Sequence, residues 1–191
     1  MMAELIEIRW HGRGGQGVVT AGKLLAEMAL ASGDYFQAFP DYGPERMGAP
    51  IRAFTRLSRQ PIAIHSQIEA PDIVVVLDPT LLSTVPVAKG LKEDGTLLIN
   101  APLSPDEARE ATGFRSGRTF VVDASHIAIK EVGREITNTP MLGALAQVSG
   151  IFDVDEVAGQ LRTWFGKKLP AEAVEANVRA MRRAAAEVRG G

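Results

Sequence analysis

No cysteine occurs in the 191 residues. Disulfides, zinc–thiolate sites and cysteine-ligated iron–sulfur clusters are therefore excluded from this chain, and any redox metal that works with it must belong to another protein. Histidine is almost as scarce: His11, His65 and His126 are the only three, too scattered to suggest a local metal site, so no metal is expected. Neither sign of charge dominates. With 21 basic and 23 acidic side chains the formal net charge is -2, which gives no electrostatic reason to expect nucleic acid. Long apolar runs are missing as well, since none approaches the roughly 20 residues that a membrane helix needs. Met1-Met2-Ala3-Glu4-Leu5 also lacks the basic-then-apolar order of a signal peptide. These absences leave a soluble, cytoplasmic protein without membrane or nucleic-acid partners. Hydrophobic residues at 46% and charged residues at 23% are average for a globular chain, and the length suits one buried core, so residues 1–191 read as a single domain.

What is present in abundance is glycine in one place. Trp10-His11-Gly12-Arg13-Gly14-Gly15-Gln16-Gly17 carries four glycines within six residues, between an apolar run from Leu5 to Trp10 and a helical pattern that begins at Val18. Such a stretch can turn sharply and approach a ligand with no Cβ in the way. Set between a strand and a helix, it points free N–H groups and the positive end of a helix dipole at the same spot, which makes an anion site, above all a phosphate site.

The rest of the pattern reads as α/β. Val19, Leu24, Leu25, Met28 and Leu30 stripe a helix ending near Ser32-Gly33. Tyr35 to Phe39 is a second strand, followed by a Pro/Gly-rich loop to Pro50; Ile51–Leu57 and Ile62–Ser66 read as a β-hairpin about Ser58-Arg59-Gln60-Pro61. Ile73 to Leu77, Thr96 to Ile99 and Thr119 to Val122 are buried parallel strands, each followed by a small polar residue, Asp78, Asn100 or Asp123, and a helix is expected from about Leu81 to Gly90. Helices follow from Asn138, from Asp153 to Phe165 and from about Ala171, the part from about residue 151 to 191 forming a helical extension. The fold class is thus α/β: a three-layer, open, mostly parallel Rossmann-like sheet with a β-hairpin insertion and a helical C-terminus. In such sheets ligands sit beyond the carboxyl ends of the strands, so Asp78, Asn100 and Asp123 should line the same edge as the glycine loop.

Gly12-x-Gly14-x-x-Gly17 matches the dinucleotide fingerprint, but the acidic residue that should end the second strand and hold a ribose is not in place; Asp34 comes too early and Asp41 lies beyond a proline. Lys23 is too far into the helix to be a Walker lysine. Arg13 can pair with a phosphate and Gln16 can donate to one, while the plainer alternatives are a tight turn and a solvated arginine. His11 can serve as a base or phosphate contact, or simply orient backbone. No nucleophile–base set or acid pair appears, so the sequence offers a binding loop without a catalytic engine.

Taken together, His11 to Gly17, Tyr42-Gly43-Pro44-Glu45-Arg46 with Gly48-Ala49-Pro50, Asp78-Pro79-Thr80, and Asn138-Thr139 with Met141-Leu142-Gly143 resemble the gamma subunit of 2-oxoacid:ferredoxin oxidoreductases, the gamma-domain family of pyruvate:ferredoxin oxidoreductase. The resemblance runs from about residue 5 to 160. It implies a subunit of a complex that decarboxylates a 2-oxoacid on thiamine diphosphate, passes electrons through iron–sulfur clusters to ferredoxin and delivers the acyl group to coenzyme A. Thiamine diphosphate and the clusters would reside on alpha, beta and delta-type partner subunits. Gly12, Arg13, Gly14, Gly15, Gln16 and Gly17 would hold coenzyme A, with Asn100 added by the strand-end argument, and Tyr42, Gly43, Glu45 and Arg46 would face the partner subunits; no residue here is expected to be catalytic. A free-standing nucleotide-binding oxidoreductase and a purely structural subunit are the alternatives.

Overall fold

The computed structural model describes residues 5–41 and 48–191. Tyr42, Gly43, Glu45 and Arg46, expected at a partner interface, lie outside the described residues. Seven strands form one sheet in the order β2-β3-β1-β4-β5-β6-β7, with β1 Leu5–Arg13, β2 Tyr35–Pro40, β3 Pro50–Ser58, β4 Ile73–Val76, β5 Thr96–Asn100, β6 Arg118–Val122 and β7 Arg189–Gly190. β1, β4, β5 and β6 are parallel neighbours, and β3 runs antiparallel between β1 and β2. The expected α/β class is correct, with a mostly parallel sheet and helices on its faces.

Those faces are covered unequally. On one, Ile6, Ile8 and Trp10 pack with Leu98 and Val122 beneath α1 Val18–Ala31, α3 Ala124–Val132, α4 Asn138–Ser149, α5 Val154–Gly166 and α6 Ala171–Glu187. Helix α4 is the middle of this layer and is buried along almost its whole length. On the other face, Val74, Val76, Leu97, Ile99 and Val121 are covered by Leu81, Val87, Phe114 and Ala108 of the short helix α2 Pro105–Thr112. That cover stops at β4. Side chains alternate along a strand, and the next strands present Arg9 and His11 on β1, opposite Phe54 and Arg52 on β3.

Several local expectations need correction. β1 does not stop at Trp10: the ladder to β3 pairs Gly12 with Ile51 and Arg13 with Pro50, so half of the glycine run is held extended and only Gly14 to Gly17 turn. The hairpin partner of β3 is β2, upstream of it, and 62–66 is irregular; Arg56 and Gln37 take its carbonyl groups instead, Arg56 Nη2 donating to Ser66 O at 2.8 Å and Gln37 Nε2 to Ile62 O at 3.3 Å. The helix expected over 81–90 is a single 3-10 turn, Pro79–Ser83, capped by Asp78. Pro86 cannot donate within a helix, and the chain beyond it is tied down by Arg9, which donates to Val87 O and Lys89 O at 3.0 and 2.6 Å. Helices α2 and α3 were not foreseen; at 8 and 9 residues each is little more than two turns long, too short for a convincing stripe, and is started by a side-chain cap, Ser104 with Glu107 for α2 and Asp123 for α3. Asn138 is the first residue of α4, after Thr137, and not its cap.

Candidate functional site

The glycine turn lies at the carboxyl end of β1, and four interactions set its shape. Gly14 extends the ladder by one step, its N–H donating to Ala49 O at 3.0 Å while its carbonyl accepts from Gly48 N at 3.2 Å. Gln16 then folds back: its Oε1 accepts from Arg13 N at 2.7 Å and its Nε2 donates to Asp78 Oδ2 at 2.6 Å. Gly17 has φ 74°, the left-handed conformation that L side chains avoid, and a Cβ on it would stand 2.7 Å from Asn138 Nδ2. Gly12 is required for a different reason, because a Cβ there would meet Val18 Cγ2 at 2.4 Å.

Helix α1 therefore begins without a side-chain cap and with no acid in its first turn. Among the described residues, nothing accepts from the N–H groups of Gly15, Gly17, Val18, Val19 or Thr20. Four orphan N–H groups are the rule at a helix start; here they share one edge with an arginine. Arg13 donates from Nε and Nη2 to Thr80 Oγ1 at 3.1 and 2.8 Å and from Nη1 to Gly48 O at 3.0 Å, and lies 3.3 Å from Asp78 Oδ2. A guanidinium has five N–H hydrogens, so two remain, on a side chain that is 29% exposed. Asp78 is the hub that holds both loop side chains. Burial pushes its carboxyl up, but hydrogen bonds from Thr80 and Gln16 and the charge of Arg13 outweigh that and keep it below its usual range.

The structure brings Asp78 to the loop, as the strand-end argument required, but gives Asn100 and Asp123 other tasks. Asn100 is buried, donating to Leu77 O at 2.7 Å and to Ser125 Oγ at 3.0 Å and accepting from Ser125 N, so its amide braces the ends of β4 and β5. Asp123 caps α3. His65 and His126 are exposed. Arg179, Arg182 and Arg183 pair with acids on neighbouring helices, as a solvated helix face does. No group of three or more potential metal ligands occurs among the described residues, and no described helix is long and apolar enough to cross a membrane.

One residue of consequence, Arg9, escaped the sequence reading, and Thr80, quoted there only within a motif, was given no role. Arg9 is buried and makes no ion pair among the described residues; its Nε donates to His11 Nε2 at 3.0 Å. Thr80 carries Arg13. The signal for Arg9 was there, since Arg9, His11 and Arg13 alternate with Trp10 and Gly12, placing three basic side chains on one face of β1. Burial, followed by the charges of Arg9 and Arg52, pushes the His11 imidazole from 6.5 down to about 3. It is therefore neutral in the folded chain, while the unfolded chain takes up a proton as pH falls through about 6.5. Its contribution to stability is complete above that pH and is lost at about 1.4 kcal/mol per pH unit on acidification towards 3. Urea unfolding between pH 7 and 5 should thus show a shallower dependence for His11→Gln, which keeps an acceptor for Arg9, than for the wild type. Equal slopes would contradict the neutral, buried ring.

A strand, a glycine turn and an uncapped helix start facing the carboxyl edge of a parallel sheet define an anion-receiving α/β unit. Residues 7–187 match the family described as pyruvate ferredoxin/flavodoxin oxidoreductase. The chain is 51% identical over 183 residues to pyruvate synthase subunit PorC of Thermotoga maritima, covering 96% of this chain and 94% of that one. It is 47% identical over 180 residues to the pyruvate/ketoisovalerate oxidoreductases common subunit gamma of Pyrococcus abyssi, covering 94% and 95%. The crystal structure of pyruvate oxidoreductase subunit PORC from Thermotoga maritima superposes with a TM-score of 0.87 at 46% identity over 99% of both chains. At 22% identity, a 2-oxoglutarate:ferredoxin oxidoreductase chain from Magnetococcus marinus, solved with 2-oxoglutarate, coenzyme A and succinyl-CoA bound, shares the fold, with a TM-score of 0.76 over 97% of this chain and 31% of that one. The chain belongs to the pyruvate ferredoxin/flavodoxin oxidoreductase family, as one of its gamma subunits.

Proposed function

We propose that this chain, acting as one gamma domain over residues 1–191, receives coenzyme A for a cytoplasmic 2-oxoacid:ferredoxin oxidoreductase, in which alpha, beta and delta-type partners carry thiamine diphosphate and the iron–sulfur clusters and pass electrons to ferredoxin. The observation that carries this reading is the set of N–H groups at Gly15, Gly17 and Val18 to Thr20 that find no acceptor among the described residues, beside two guanidinium hydrogens of Arg13 that find none there either. Such a set fits the phosphate oxygens of coenzyme A. Gly12 lets Val18 start α1 against β1, Gly14 carries the ladder into the turn, Gln16 fixes that turn, and Asn100 braces the same edge from below. Asp78, Thr80 and Ser125 at this edge are engaged by Gln16, Arg13, Asn100 and Glu135, so the chain's part is to bind and orient.

The family relationship also supports this reading, and a chain that contains the same fold has been solved with coenzyme A bound. A nicotinamide cofactor fits less well. β2 is separated from β1 by β3, Asp41 just past its end is engaged by Arg52 at 2.7 Å and by Gln67 at 2.8 Å, and Asp78 just past β4 is engaged by Gln16, Thr80 and Arg13, so no described acid beside the glycine turn is left for a ribose. In the assembled enzyme, Arg13→Ala should raise the KM for coenzyme A by roughly tenfold or more, since a charge-assisted contact is worth about 1.5–3 kcal/mol. An unchanged KM, or tight NAD binding with no effect of coenzyme A, would overturn the assignment.

A further inference from the structure

A second site lies on the face of the sheet that irregular segments, 67–69 and 85–90 among them, cover in place of helices. Arg9, His11, Arg52, Phe54, Pro86 and Lys89 are among the residues that line a cleft of about 830 Å³, within the range of small-molecule sites. Arg9 is only 5% exposed. Its Nε and Nη2 are used by His11 and the carbonyls of Val87 and Lys89, but its Nη1, with two hydrogens, has no acceptor among the described residues. No carboxylate among them pairs with it either: Asp41 is held by Arg52 and Gln67, and Glu69 is exposed on the rim without an ion pair. His11 accepts from Arg9 at Nε2, so its own proton sits on Nδ1, which likewise has no acceptor among the described residues. A buried cation with donors left over is costly unless a counter-charge completes it. Desolvation, with Arg52 nearby, lowers even the Arg9 guanidinium to about 10, as is common where a site is arranged for a ligand.

We propose that this cleft binds the oxyanion of a small ligand, a phosphate ester or a carboxylate, on the Nη1 of Arg9 with Arg52 and Lys89 at its mouth. It is distinct from the glycine turn: Arg9 lies four residues upstream of Arg13 along β1, roughly 13 Å at the strand rise of about 3.3 Å per residue. The binding is independent of whether the glycine turn holds coenzyme A.

His11 supplies a local probe. An anion beside it should raise its pKa and move its imidazole resonances, whereas exposed His126 serves as the internal control. In NMR titrations of the full chain at constant ionic strength, inorganic pyrophosphate stands for the phosphate source and succinate for the carboxylate source. A saturable shift of His11 with either probe, weakened roughly tenfold by Arg52→Gln and unaffected by Arg13→Ala, establishes the site, and the tighter probe identifies the source. Arg9→Lys, checked for folding by circular dichroism because Arg9 also tethers 87–89, should abolish the shift. A His11 signal that ignores both probes overturns the proposal. So does one that responds to them equally in the Arg52→Gln chain, or one that moves only on assembly with partner subunits, which would assign the cleft to an acidic side chain of a partner.

Discussion

Trp10→Ala is expected to cost about 3–5 kcal/mol of stability, the range found when a fully buried large aromatic is removed. Trp10 has no exposed surface, lies at the centre of the face covered by α1, and donates its indole N–H to Thr55 Oγ1 on the neighbouring strand at 3.0 Å. Truncation would leave a cavity between β1, β3 and α1 and a buried hydroxyl without its donor. For a chain of this length about 2–4 °C of Tm accompanies each kcal/mol, so a fall on the order of 10 °C is expected in thermal unfolding followed by circular dichroism. Trp10→Phe should cost less, since it keeps a buried aromatic ring while losing the bond to Thr55, about 1–2 kcal/mol, and the smaller part of the indole. If Trp10→Ala melted within a degree or two of the wild type, the packing of β1 beneath α1 would be wrong.

Gly143→Ala should be nearly as severe although it adds one methyl group. At the crossing of α4 and α6 that Cβ would stand 2.1 Å from the carbonyl oxygen of Met181 and 2.8 Å from its carbon. Both are backbone atoms within a helix and cannot swing aside, so the helices must separate. Small-to-large strain of this kind costs about 1–3 kcal/mol, and more where nothing yields; about 3 kcal/mol is expected here. The opposite sign is expected for Gly159→Ala in α5, where nothing beyond the adjoining backbone of its own helix lies within 4 Å of the added Cβ and the loss of unfolded-chain freedom should stabilise by about 0.4–1 kcal/mol. Urea unfolding of the two variants side by side is the test, and stabilities that moved together would refute the close crossing.

The sequence made the long elements plain and the short ones obscure, for physical reasons that differ from place to place. Helices α1, α5 and α6 show apolar stripes over several turns, and Asp153 announces the start of α5 by its capping box. Continuous β-branched runs likewise betray the strands that are buried on both faces, as at Ile73 to Val76. Helices α2 and α3 bury few side chains and depend on caps, so periodicity passes over them. The segments 62–66 and 84–90 looked regular because their apolar residues are spaced regularly, yet their carbonyls are taken by Arg56, Gln37 and Arg9 from other strands, which no local pattern reveals. At the candidate site, the glycine turn and the arrival of Asp78 followed from spacing and from the rule of strand ends. That Gln16 spends both ends of its amide inside the protein did not, because its partners are one turn and one strand away.

That double engagement of Gln16 bears on the heat and entropy of binding. A glycine-rich segment free in solution would lose much conformational freedom when a ligand ordered it, and the affinity would fall accordingly. Here Gln16, anchored on Arg13 N and on an Asp78 that is itself held by Thr80, fixes Gly14 to Gly17 before anything arrives. An anion would meet donors that already converge, its affinity arising from charge and hydrogen bonding with little offset from loop ordering. Severing that anchor with Gln16→Ala would thus loosen the receiving edge while leaving its backbone N–H groups and Arg13 in the chain.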